Sequence, residues 1–180
     1  EKGQVLAIIG SSGSGKTTIA KELQKRLGRN TMVISQDVIR RDMLKVRDGE
    51  NTPALPLMKE LLIYGSKHSS IVILEGIMYA NWYKPLFELA AELYGSEIYA
   101  YYFDLPFEET LKRHQTKPNC HEFGEDAMRE WWQEKDYSEI LDEVRITAEK
   151  DKESIVQDIL TDSSLCQSLP CAKGGGTAQP

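Results

Sequence analysis

The 180-residue chain carries 22 basic and 28 acidic residues, a formal net charge of −6 and 41% hydrophobic residues, enough for one domain with a substantial core. The acidic balance argues against a broad nucleic-acid-binding surface, though it leaves room for an oligonucleotide end in a local basic groove. Neither a leader nor an apolar run of membrane length is recognisable, and Cys120, Cys166 and Cys171 form no C-x-x-C pair, so the expectation is a cytoplasmic protein without a disulfide framework.

In chain order, residues 4–9 read as a buried strand. Gly10-Ser11-Ser12-Gly13-Ser14-Gly15-Lys16-Thr17 follows, and Thr18, Ile19, Ala20, Leu23 and Leu27 continue as an amphipathic helix. This is the G-x-x-x-x-G-K-[ST] phosphate-binding pattern between a strand and a helix. Its glycines let backbone N–H groups turn around a phosphate, and the helix N-terminus adds its dipole. A nucleoside triphosphate is therefore expected on residues 10–18, with Lys16 reaching the β- and γ-phosphates and Thr17 holding Mg²⁺.

A second strand, Thr31–Ser35, leads into Gln36, Asp37, Arg40 and Arg41. Ligands of parallel sheets bind at the carboxyl ends of strands. A helix starting here would put Asp37 and Arg40 one turn apart. The carboxylate could take the proton of an attacking hydroxyl while Arg40 or Arg41 grips the acceptor. The same residues also fit a helix N-cap and a surface cation. A third strand, 71–74, runs into Glu75-Gly76-Ile77, where an acid beside the phosphate loop suits Mg²⁺. Glu75 thus competes with Asp37 for the role of base.

The spacing of Trp82, Leu86, Leu89, Ala90 and Leu93 predicts a helix over 82–94. A fourth strand, Ile98–Phe103, is followed by a Pro106-started helix and a basic, Pro-broken stretch through Lys112, Arg113 and Lys117. That describes a lid over about 113–130, with Arg113, Lys117 and less directly Arg129 available to neutralise a transferred phosphoryl group. Simple solvated cations are the alternative. His114, Cys120 and His121 lack the spacing of a four-ligand zinc site and read as loop residues. A helix over 125–137 (with Ala127, Met128, Trp131 and Trp132 on one side), a strand over 144–148 and a helix over 152–160 complete the pattern. The last is capped by Asp151 and buries Ile155, Val156, Ile159 and Leu160. Residues 163–180 read as a flexible tail or expression remnant.

Taken together, the phosphate loop, Asp37 with Arg40, and Asp104, Pro106, Lys112, Arg113 and Met128-Arg129 resemble small P-loop kinases. The likeness is greatest to the group that includes the 5′-kinase domain of phage polynucleotide kinase and the zeta toxins, and it extends through about Trp132. It implies that Asp37 is the catalytic base, that Arg40 binds the acceptor, and that Arg113 acts from the lid. The family's second lid arginine falls at Lys117, which lacks bidentate geometry, and its loop proline falls at Ser12. Ser35-Gln36-Asp37 and Glu75-Gly76-Ile77 also resemble uridine kinases, whose nucleoside-binding insert and Arg-rich lid are not recognisable here. Both resemblances place the base at Asp37.

The expectation is an α/β, three-layer P-loop NTPase fold over 1–162, with a five-stranded parallel sheet ordered 2-3-1-4-5 and a small helical lid. Its expected activity is transfer of the γ-phosphoryl of ATP to a hydroxyl of a small-molecule or nucleotide-like acceptor, with Lys16, Asp37 and Arg113 catalytic. Alternatives are a uridine or nucleoside kinase, a toxin kinase acting on a sugar nucleotide, and a regulatory module that binds ATP without transfer. The acceptor site is expected along 40–62 and 78–83, where Tyr64, Tyr79, Trp82 and Tyr83 are either stacking surfaces or core.

Overall fold

A computed structural model of the chain describes residues 3–10, 15–105, 107–115, 124–130, 136–147 and 149–162. Five strands, β1 (Gln4–Gly10), β2 (Thr31–Ser35), β3 (Ile71–Gly76), β4 (Ile98–Phe103) and β5 (Glu143–Ile146), form one sheet in the order β2-β3-β1-β4-β5. All four neighbouring pairs are parallel. The predicted order is therefore the observed one.

The alternation of side chains along the strands explains the three layers. Val5, Ala7 and Ile9 of β1 face one way, with Val72, Leu74, Ala100 and Tyr102, against α3 (Ala54–His68) and α4 (Lys84–Tyr94). Leu6 and Ile8 face the other way, with Ile73, Tyr101 and Phe103, against α1 (Lys16–Leu27) and α7 (Lys152–Thr161). Central strands covered on both faces are continuously apolar, which is why residues 5–9 show no polar alternation.

Local chemistry sets most boundaries. Asp151 caps α7, its carboxylate accepting from the Ser154 N–H at 2.7 Å, and Ile155, Val156, Ile159 and Leu160 are all buried, as expected. α4 begins at Lys84 rather than Trp82, because Tyr83 is its N-cap and Pro85 occupies its first turn. Its buried face is accordingly Leu86, Phe87, Ala90 and Tyr94. The helix expected over 125–137 is described only as α6 (Glu125–Glu130). Asp136 and Tyr137 are not helical; Tyr137 instead packs edge-on against Tyr102, with ring centroids 4.7 Å apart. Likewise β5 stops at Ile146, short of residue 148.

The long α3 was not singled out from sequence. Pro56 sits in its first turn, where a missing N–H costs nothing, and Gly65 lies inside it. Gly65 is there for space: a Cβ at this position would meet Val72 Cγ2 of β3 at 2.5 Å and Met32 Sδ at 3.2 Å. Residues 1–2, 11–14, 106, 116–123, 131–135, 148 and 163–180 lie outside the described set. So do the predicted tail, Trp131, Trp132, Cys120, His121, Cys166, Cys171 and the side chains of His114 and Met128.

Two outcomes follow from this packing. Gly65→Ala should lower unfolding free energy by about 1–2 kcal/mol in a urea titration, because overpacking outweighs the gain of about 1 kcal/mol in helix propensity. Equal or higher stability would mean that α3 can move off β3. Burial pushes the Glu143 carboxyl up to about 7, although the Ser138 N–H bonds it at 3.0 Å. A raised carboxyl pKa favours the folded state most below its unfolded value of 4.5, and that contribution is lost as pH rises through 7. Wild type should therefore lose stability relative to Glu143→Gln between pH 5 and pH 8, by on the order of 1–3 kcal/mol. A pH-independent difference in urea midpoint would contradict this.

Candidate active site

At the carboxyl edge of the sheet, β1 ends in Gly10, whose Cβ would lie 2.8 Å from Phe103 Cβ and 3.0 Å from the Phe103 carbonyl. Only glycine allows β4 to pass this close. Ser11, Ser12, Gly13 and Ser14 lie outside the described residues. The chain is described again at Gly15, the left-handed N-cap of α1 (φ 90°), and Lys16 opens the helix with its side chain buried. Thr18 is on the exposed side of the same first turn.

Three strands converge on one carboxylate here. Glu75 lies within β3 rather than beyond it, in register with Ile8 of β1 and Ser35 of β2. Its side chain is only 2% exposed. The Thr17 hydroxyl donates to the two Glu75 oxygens at 3.3 and 3.4 Å, and the Ser35 hydroxyl donates to Oε1 at 2.6 Å. Among the described residues these two hydroxyls are the side chain's partners. A buried carboxylate held by neutral donors retains its demand for positive charge. Hydroxyl and carboxylate oxygens together are hard ligands suited to Mg²⁺. The residues present therefore fit that ion, and Thr17 and Glu75 could hold it.

Ser35 has a second task. Its oxygen accepts from the Val38 N–H at 3.5 Å, capping the short α2 (Gln36–Val38). The N-cap is thus Ser35, not Asp37. The chain then widens into a π-helical turn, Ile39–Leu44, closed by Lys45 in the left-handed conformation. On this turn Arg40 Nη2 and Arg41 Nε both reach Asp37 Oδ1, at 3.0 and 2.9 Å. Asp37 is 52% exposed, so these pairs add little stability, but they hold two guanidinium groups around one carboxylate. Short π-helical turns are rare and occur often at functional sites.

Behind the turn, Gln36 and Tyr83 are buried, and Tyr83 donates to Asp48. Burial and the Asp48 carboxylate hold the Tyr83 phenol protonated far above its usual range. Tyr83 is therefore core, not a stacking surface. Tyr64 is exposed and stacks on His68, with centroids 4.5 Å apart. Tyr79 contacts Trp82 edge-on at 4.7 Å and lines a shallow, open crevice together with Gly10, Met78, Tyr102 and Asp136. Asp136 Oδ2 accepts from the Ala80 N–H at 2.8 Å, and its own N–H donates to the Tyr102 hydroxyl at 3.1 Å. Burial, then Asp48 and Asp136, raise the Tyr79 pKa.

The stretch expected as a lid is described only in part. Arg113 belongs to α5 (Phe107–Gln115), but its side chain, like Lys117, lies outside the described residues. Arg129 pairs with Glu125 at 2.9 Å and lies 4.3 Å over the Phe107 ring, tying α6 to α5. Asp104 accepts from Arg145 Nε at 3.0 Å and from the Tyr137 hydroxyl at 2.8 Å, which fixes β5 to β4. Asp48, Tyr102 and Asp136 were not singled out from sequence. No local pattern marks them, since each matters through a partner distant in the chain.

A family model described as an AAA domain (AAA_33) matches residues 5–136, from β1 to the crevice. No curated protein matches the chain. Among solved structures, the fold is similar to APS kinase of Mycobacterium tuberculosis, solved with AMPPNP and APS, at 17% identity and a TM-score of 0.64, covering 93% of this chain and 99% of that one. A gluconokinase from Sinorhizobium meliloti 1021 gives 16% identity, a TM-score of 0.59 and coverage of 89% and 90%. A chain of the Pnkp1/Rnl/Hen1 RNA repair complex gives 21% identity and a TM-score of 0.52 over 72% of this chain, which spans only 43% of that longer one. These likenesses establish a small P-loop kinase fold, and by the family match the chain belongs to AAA_33.

Proposed function

We propose that this protein is an ATP-dependent phosphotransferase acting on a hydroxyl of a small-molecule or nucleotide-like acceptor. The observation that carries the reading is the pair of guanidinium groups held on Asp37, two residues beyond the Ser35 that bonds Glu75. A module that only binds or slowly hydrolyses ATP has no use for such a group on the acceptor side. The kinase folds it resembles support the same reading.

Division of labour between the two acids follows from burial. Glu75 is enclosed by Thr17 and Ser35, which suits a metal holder and leaves little access for an acceptor hydroxyl. Asp37 is open to solvent and is assigned the proton of the attacking hydroxyl. Arg40 or Arg41 holds the acceptor, residues 10–18 cradle the phosphates, and Lys16 bridges β and γ. Arg113 with Lys117 closes over the transfer. Bound Mg²⁺ would offset the charge on the phosphate oxygens. Among the described residues no cluster of three His, Cys, Asp or Glu side chains could hold a metal, and an ion that arrives with ATP needs none. The acceptor is assigned to the crevice beside Tyr79. No described helix is long and apolar enough to cross a membrane.

An ATP-consumption screen over nucleosides, sugars, sugar nucleotides, aminoglycosides and oligonucleotide 5′ ends should identify an acceptor. With it, Lys16→Ala should abolish turnover; an active variant removes the phosphate-loop reading. Asp37→Asn should lower kcat by about 10²–10⁴-fold with ATP affinity nearly unchanged. A mild Asp37→Asn beside a crippled Glu75→Gln would instead make Glu75 the base.

A further inference from the structure

Between residues 36 and 48 the chain leaves the sheet, makes the π-helical turn that carries Arg40 and Arg41, and comes back to Tyr83. Both ends of this excursion converge on one hydroxyl. Tyr83 is 0% exposed; it accepts from Gln36 Nε2 at 3.0 Å and donates to Asp48 Oδ1 at 2.6 Å. The same Asp48 oxygen accepts from the Gly49 N–H at 3.0 Å.

Gln36 has little freedom of its own. A Cβ at Gly76 would stand 2.6 Å from Gln36 Cβ, so residue 36 is pressed against the end of β3. Inside the excursion, the Val46 N–H donates to the Arg40 carbonyl at 3.0 Å, and Arg40 Nη1 donates to the Val46 carbonyl at 3.5 Å. Residue 46 therefore moves with Arg40, and residue 48 is tied to Tyr83. Arg40 Nε is buried with no hydrogen-bond partner among the described residues. The guanidinium is thus held where it is by its neighbours, not by a full set of its own bonds.

We propose that Tyr83 is a positioning residue: its hydroxyl pins residues 36 and 48 together and so fixes where Asp37 and Arg40 stand relative to the phosphate loop. Removing the hydroxyl alone leaves the ring in the core but frees a buried amide and a carboxylate from each other. The segment between them then has no common anchor. The consequence for turnover rests on the phosphotransferase reading; the consequence for order in residues 36–49 does not.

The test is Tyr83→Phe, read in two ways. By hydrogen exchange, amides of residues 36–49 should exchange about tenfold faster or more, with α1 and α7 unchanged. Unaltered exchange there, or acceleration spread over the whole sheet, overturns the proposal. With an acceptor from the screen, kcat should fall about tenfold or more at unchanged ATP affinity, and the variant should add almost nothing in an Asp37→Asn background. The same factor in both backgrounds would make Tyr83 merely structural and overturn the proposal. Should wild type turn over no acceptor in the panel, the phosphotransferase reading fails, and exchange alone still decides the positioning role.

Discussion

Everything at the carboxyl edge of the sheet is organised around the buried carboxylate of Glu75. β1 and β2 flank it in register, Thr17 brings the start of α1 to it, and Ser35 brings the end of β2. A charge so placed costs energy unless donors and a cation meet it. It is therefore built where the protein can tolerate it, between two hydroxyls at the start of α1 and the end of β2. The same serine that bonds Glu75 caps α2, so the Glu75 corner and the segment bearing Asp37 share a single residue.

That sharing links two kinds of order. The Glu75 corner grows out of central strands buried on both faces. The segment bearing Asp37 hangs from it: a three-residue helix, a π-helical turn and a loop, none of which has a core of its own beyond Ile39. Such a segment needs anchors from elsewhere, and Tyr83 at the N-cap of α4 supplies one from across the chain. A close approach at Gly76 supplies another, since it lets Gln36 pass where a methyl group would not fit.

Much of this was legible in the sequence, for physical reasons. Runs such as residues 5–9 and 71–74 are apolar because both faces of the sheet are covered, and their alternation with helices dictates a parallel sheet. The places of Glu75 and Asp37 at the carboxyl ends of β3 and β2 were legible because the apolar runs before them stop there. α3 was obscured by Pro56 and Gly65, residues tolerated through position and close packing rather than propensity. The π-helical turn has no periodic signature, being set by Lys45 in a left-handed conformation and by bonds to the Arg40 carbonyl. Amphipathic neighbours point to a helix at Tyr137, yet its ring belongs to Tyr102 and its hydroxyl to Asp104. Asp48 and Asp136 carry no local pattern, because their meaning lies in contacts 35 and 56 residues away.

The central claim is the separation of the two acids, with Glu75 serving the metal and Asp37 the acceptor. Mn²⁺ standing in for Mg²⁺ tests it directly, by electron paramagnetic resonance titration in the presence of a non-hydrolysable ATP analogue. Glu75→Gln and Thr17→Val should each weaken Mn²⁺ binding by about tenfold or more, and Asp37→Asn should leave it unchanged. Equal weakening by Asp37→Asn, or none by Glu75→Gln, would contradict the assignment.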